Sequence, residues 1–165
     1  MTTAEMLLRL RESRDVFDAR VSEVPGEVFD VVPDGHAHSP KEAVAHVAAY
    51  ESLILERLRE ARDGRSTEFD RDREGWEAFN DVVWAEAAET DAVDVRARAV
   101  FVFSDLLAEI AGLTDAELSE TTGITKRIDP AWLEDRTLAE MIAIDSFEHY
   151  PMHESVLIAA AKAAS

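Results

Sequence analysis

Two segments of this chain mark their own helix starts, and together they fix most of the fold. In Ser39-Pro40-Lys41-Glu42 the serine can cap, the proline suits the first helical position, and the glutamate can reach back to close a capping box. Thr137-Leu138-Ala139-Glu140 repeats the device near the other end of the chain. Each box opens a long run of helical period. The first continues to about Arg62, with Ala43, Val47, Tyr50, Ile54, Leu58 and Ala61 on one side and Asp63-Gly64 as its stop. The second runs to about Lys162 through Leu138, Met141, Ile142, Met152, Val156 and Ala160. Two further core helices are predicted over about Thr3–Val24, with Arg14 interrupting the apolar stripe, and about Ala92–Leu113, through Val95, Ala99, Val102, Leu106 and Ile110.

The connections are unequal. Residues 27–38 read as an extended linker, and residues 72–89 as a weaker helix with Trp76, Phe79, Val83 and Trp84 on one side, packed across the bundle. Thr114–Glu117 resembles a one-turn capping box. The stretch Ser119–Asp135 has no period, and a loop of that length is often a lid or pocket wall. No segment alternates convincingly as a strand does. The expected fold is therefore all-α: a four-helix bundle in one domain spanning residues 1–165, with an additional helix between core helices 2 and 3.

Composition narrows the chemistry. The chain has no cysteine, so disulfides, thiolate ligands and a cysteine nucleophile are excluded, and metal binding falls to His, Asp and Glu. Acidic residues outnumber basic ones 35 to 17, giving a formal charge of −18. Such a field repels phosphate backbones at long range, so no nucleic-acid partner is expected. No apolar run is long enough to span a membrane. The charged first fifteen residues lack a signal-peptide core, which makes the cytoplasm the expected location.

The residues that carry chemistry sit where aliphatic side chains belong. Asp145, His149 and His153 fall on the inward stripe of the last helix, and burying such groups without partners costs a few kcal/mol. Two histidines four apart share one helix face and can hold one ion. His46, on the second helix beside Ala43, Tyr50, Leu53 and Ile54, would supply a third imidazole from a facing element and leave coordination positions open. Asp145 admits three roles: acceptor of a free imidazole N–H, ligand, or networked core acid. The first is the reading adopted. Pro151 removes one helical hydrogen bond and kinks the segment, either aiming the two rings at one point or bending around a neighbour. His36 and His38 read as surface residues of the linker, and Trp76 and Trp84 as core or cover. Tyr50 and Trp132 are candidate pocket walls, Trp132 because it lies in the long loop before the histidine helix. The alternative to a metal is a buried polar network of the same histidines and Asp145.

The segment Ser39–Glu51, the Trp76–Glu86 stretch containing Phe79-Asn80, the Leu113–Leu118 turn and Phe147-Glu148-His149-Tyr150-Pro151-Met152-His153 together resemble the DinB-like superfamily. That resemblance covers nearly the whole chain in order. It implies a four-helix bundle, often a homodimer, that binds a divalent metal, zinc or nickel in this reading, through His46, His149 and His153. It also implies a metal-dependent hydrolase or a transferase using a low-molecular-weight thiol such as mycothiol or bacillithiol on a small-molecule substrate. The alternative is a non-catalytic binding or sequestering bundle connected with stress or toxin resistance. Some relatives place a glutamate at one ligand position where this chain has histidine.

Overall fold

In the computed structural model, residues 1–67, 69–70, 75–121, 123–128 and 135–164 are described, and over these residues the chain is helical without a strand. The helices are α1 (Thr3–Glu23), α2 (Pro40–Arg62), α3 (Gly75–Glu89), α4 (Ala92–Ala111), α5 (Asp115–Ser119), α6 (Leu138–Ile144) and α7 (Glu154–Ala163). The boxes at Ser39/Glu42, Thr114/Glu117 and Thr137/Glu140 all form, each side chain satisfying the other residue's backbone N–H. A further box, Thr2/Glu5, starts α1. α2 ends as its sequence suggests. Gly64 adopts φ +78°, its N–H donates to the Ala61 carbonyl and that of Arg65 donates to Glu60, which closes the helix with a left-handed glycine.

Four core elements, α1, α2, α4 and the α6–α7 region, surround the interior, and α3 packs on α2 as the additional helix. α2 is the hub, lying against α3, α4 and α7. The core is divided in two. One cluster gathers Leu10, Ile54, Leu58, Leu106, Ile110 and Met141; the other gathers Phe17, Val47, Ala99, Tyr150 and Leu157. Arg14, which breaks the stripe in the sequence, is 2% exposed and lies among these elements. Its Nη1 donates to both oxygens of Glu51 at 2.7 and 2.8 Å, Nε donates to Asp18 at 2.9 Å, and Nη2 donates to the Ala99 carbonyl at 3.2 Å. The Tyr150 hydroxyl donates to the same Glu51 at 2.6 Å. α1, α2, α4 and the last core segment thus meet in a single buried node.

The last core helix departs from expectation. It is not continuous to Lys162: α6 stops at Ile144, a run of turns follows, Tyr150–His153 is a 3₁₀ turn, and α7 begins at Glu154. Pro151 supplies part of the cause, because it has no N–H to give to Phe147. That carbonyl accepts from Ser13 Oγ of α1 at 3.4 Å. Upstream, Glu148 N donates to Ala143 at 3.0 Å, a wide i−5 bond of the kind found in π-bulges. Ser146 bonds back to the Ile142 carbonyl. The linker before α2 contains one 3₁₀ turn, Gly26–Val28. Among the described residues no helix is long and apolar enough to cross a membrane.

Removing one charge from the buried node leaves the other without its partner, which is far more costly than replacing both. Arg14→Met is expected to lower unfolding stability by about 3 kcal/mol, and Arg14→Met/Glu51→Leu to recover part of that loss. Urea denaturation of the four chains in the double-mutant cycle measures both numbers.

Candidate metal centre

The break in the last core helix brings its two histidines together. Asp145 and Tyr150 bracket His149, and both are tied to α2: Asp145 Oδ2 accepts from Arg57 Nη1 at 2.8 Å, and Tyr150 donates to Glu51. Held at both ends, the segment presents His149 and His153 with their Nε2 atoms 3.1 Å apart. His46 reaches the same place from α2, its ring centroid 5.1 Å from that of His149 and 4.8 Å from that of His153. One ligand nitrogen from each of the three lies within 4.8 Å of the others. His46 and His149 are buried, and His153 is partly so.

These groups fit a divalent ion by their own chemistry. His46 Nδ1 is buried with no hydrogen-bond partner among the described residues, a state that costs free energy unless something accepts its lone pair or proton. All three rings are held neutral, the form that coordinates. Burial, with neighbouring His153 and His149, depresses His46 to about 3. Burial depresses His149 to about 4. Burial, then His149 and His38, depresses His153 to about 4.

Around the imidazoles lies an aromatic wall. Tyr50 packs edge-on against His149 at 4.4 Å and tilted against His46 at 4.7 Å, and its other neighbours are Trp76 at 5.6 Å and Phe79 at 5.4 Å. Its hydroxyl donates to Asn80 Oδ1 of α3 at 2.9 Å. Burial and the Asp145 charge push Tyr50 up to about 12, so it stays a protonated donor. Trp84, also on α3, stacks flat on His46 at 4.1 Å with 6° between planes, and His38 stacks on Trp84 at 3.8 Å and 15°.

The sequence reading needs several adjustments here. The imidazole N–H bond expected of Asp145 is not among its hydrogen bonds. Its carboxylate is taken by Arg57, whose Nε and Nη2 also bind Asp70, so Asp145 belongs to a buried acid–arginine–acid network beneath the histidines. Burial, against the pull of Arg57, raises Asp145 to about 6. His38, read as a surface residue, touches the wall of the centre through Trp84, and α3 contributes Trp76, Phe79, Asn80 and Trp84, of which Trp76 and Trp84 were expected as core or cover. The signal was available in part, since Trp76, Phe79, Val83 and Trp84 share one side of that helix. Trp132 lies outside the described residues. The described part of its loop packs at the far end of α2, where Arg127 Nη1 donates to the Ala61 carbonyl at 2.7 Å. That is about 22 Å along the helix axis from His46.

A family model for the DinB superfamily matches residues 9–151. The chain belongs to the DinB superfamily. No curated protein matches it. Solved structures share its fold at low identity. An uncharacterised protein from Escherichia coli UTI89 superposes with TM-score 0.81 at 19% identity, covering 99% of this chain and 94% of that one. The sibling lethal factor precursor DfsB gives TM-score 0.82 at 14% identity, over 99% of this chain and 97% of that one. The colibactin self-resistance protein ClbS, solved in complex with a dsDNA, gives 0.77 at 14%, over 95% and 93%. The ClbS complex overturns the exclusion of a nucleic-acid partner drawn from charge. Net charge describes a long-range sum, whereas a phosphate meets a local surface, and a protein of this DinB-like fold has met one.

The depressed histidines have a direct consequence for pH. The unfolded chain takes up protons on them near 6.5, but the folded chain does not until about 3 to 4, so they withdraw stability as pH falls through that window. Asp145, raised instead, acts in the opposite sense between its ordinary value and about 6. In metal-free protein the ring resonances of His46, His149 and His153 are expected to stay at their neutral positions from about pH 8 to about pH 5. Histidine NMR across that range checks this, and a midpoint near the ordinary imidazole value for any of the three contradicts it.

Proposed function

We propose that this protein is a metal-dependent enzyme in which His46, His149 and His153 would hold a divalent transition metal, zinc or nickel, that activates water or a low-molecular-weight thiol such as mycothiol or bacillithiol for attack on a small electrophilic substrate. The observation that carries the reading is the convergence of three neutral imidazole nitrogens from two elements, with no carboxylate among them. Imidazole suits late first-row metals, and three protein ligands leave a position open. When bound, such an ion makes a water or thiol nucleophilic at neutral pH or polarises a carbonyl.

The chain's own residues prepare that site. Burial keeps the imidazoles unprotonated, so binding needs no prior proton release from them. Arg57 and Glu51 fix the ends of the segment bearing His149. Tyr50, Trp76 and Phe79 form an aromatic wall on one side, and Asn80 Oδ1 accepts the hydrogen bond of the tyrosine hydroxyl.

A second reading, a binding or sequestering bundle with a resistance role, is favoured by the likeness to ClbS, a self-resistance protein in complex with dsDNA. Turnover separates the two: the first requires metal-dependent consumption of an ester or an electrophile–thiol pair, and the second requires retention of a ligand without conversion.

Elemental analysis of protein purified without an affinity tag is expected to find about one transition metal per chain. His46→Ala and His149→Ala should each lower affinity by at least about a hundredfold, while His36→Ala leaves it unchanged. Retention of the metal by His46→Ala, with its loss from His36→Ala/His38→Ala, would overturn the ligand assignment.

A further inference from the structure

A histidine that binds a metal ordinarily has its second ring nitrogen fixed by a carboxylate or carbonyl, and that bond sets the orientation of the ring. His46 has no such bond. Neither of its ring nitrogens has a hydrogen-bond partner among the described residues, so whichever one meets an ion the other is unfixed, and the acid expected to serve this centre, Asp145, is engaged by Arg57. Ring rotation about the Cβ–Cγ bond is broad and poorly restrained by torsion alone, so something else must hold the ring.

The contact present is a stack. The Trp84 indole lies 4.1 Å from the His46 ring, centre to centre, with only 6° between planes. Turning the imidazole out of plane would drive its edge into the indole. His38, in the linker that leads into α2, lies on the same indole at 3.8 Å and 15°, so Trp84 contacts both the linker and α2. α3, which carries Trp84, is itself anchored on both sides of the centre. Tyr50 bonds Asn80 earlier in the helix, and Lys41 Nζ donates to the carbonyls of Ala88 and Thr90 at its end, at 3.2 and 3.0 Å. Trp84 therefore sits on a helix fixed to α2 above and below it.

We propose that Trp84 is the positioning residue of His46, setting its ring plane by stacking in place of the missing hydrogen bond, and that His38 steadies Trp84 from the linker. The consequence is that α3, the element outside the four-helix core, governs the quality of the metal centre while supplying no ligand. The part of this inference that concerns metal affinity rests on the reading of the three histidines as ligands; the part that concerns the ring does not.

The test uses the full chain with cobalt(II) as probe. Trp84→Ala is expected to weaken cobalt binding by roughly ten- to a hundredfold and to change the intensity of the visible d–d bands, with helix content and unfolding midpoint near those of the parent. Trp84→Phe, which restores an aromatic face, should recover most of the affinity, whereas Trp84→Leu, of similar bulk but no π-face, should not. His38→Ala should give a smaller loss of the same kind. In metal-free protein, the ring protons of His46 should lose their upfield shift in Trp84→Ala, and the ring should become mobile on the NMR timescale. Unchanged affinity and bands in Trp84→Ala, or equal rescue by Leu and Phe, overturn the positioning role. If the parent binds no cobalt but Trp84→Ala still frees the His46 ring, the metal reading falls and the bracing of the ring stands.

Discussion

The buried carboxylate of Glu51 is the tie on which the rest of this molecule depends. It is wholly excluded from solvent, and it binds Arg14 from α1 and Tyr150 from the broken core segment, while Arg14 reaches on to α4. An ionised group in that position has no acceptable alternative partner, so the helices have one mutual arrangement that satisfies it and many that do not. The apolar clusters on either side supply most of the burial, but Leu, Ile, Val and Ala tolerate sliding far better than a two-point hydrogen bond does. Tyr150 follows His149 directly, and Tyr50 precedes Glu51. The bond that fixes the bundle is therefore one residue from the candidate metal centre on both sides.

Seen this way, the interrupted helix is part of the site's construction. A regular helix through residues 145–153 would satisfy its own backbone and leave little reason for any particular depth of insertion. The turns and the 3₁₀ segment give up some of that regularity, and side chains from elsewhere, Ser13 on the Phe147 carbonyl and Arg57 on Asp145, complete the bonding. Three polar groups thus cross the interior, the imidazoles, the arginine–glutamate node and an acid–arginine–acid network, each using a residue of α2.

Much of this was legible in the sequence, for reasons tied to particular residues. Ser39, Thr137 and Gly64 act locally, through bonds to backbone groups within a few positions, so their meaning can be read without knowing the rest of the fold. His149 and His153 were detectable because each stands on a periodic face where an aliphatic residue is expected, and His46 because it lies beside the apolar stripe of a helix that can face them. What could not be read depends on contacts between distant positions. Asp145 faces Arg57 rather than an imidazole, across 88 residues, and nothing in the spacing of either reveals it. The interruption after Ile144 was visible only as Pro151, whose local effect is a kink; the wider turn needs Ser13 and Glu51 to hold it open. His38 lies in a polar linker, and only the position of α3 makes it part of a stack. The charge argument failed because it treated the whole chain as a point.

The crowding of anchors onto α2 also bears on how such a chain can change over generations. His46, Tyr50, Glu51 and Arg57 must each point to a different neighbour from one rigid rod. Substitution at positions between them rotates nothing, which is compatible with structures of the same fold at 14–19% identity. Inserting or deleting a single residue there turns every later side chain by about 100° relative to the earlier ones and disconnects the centre from its supports. In this stretch the geometry therefore constrains the number of residues more tightly than their identity.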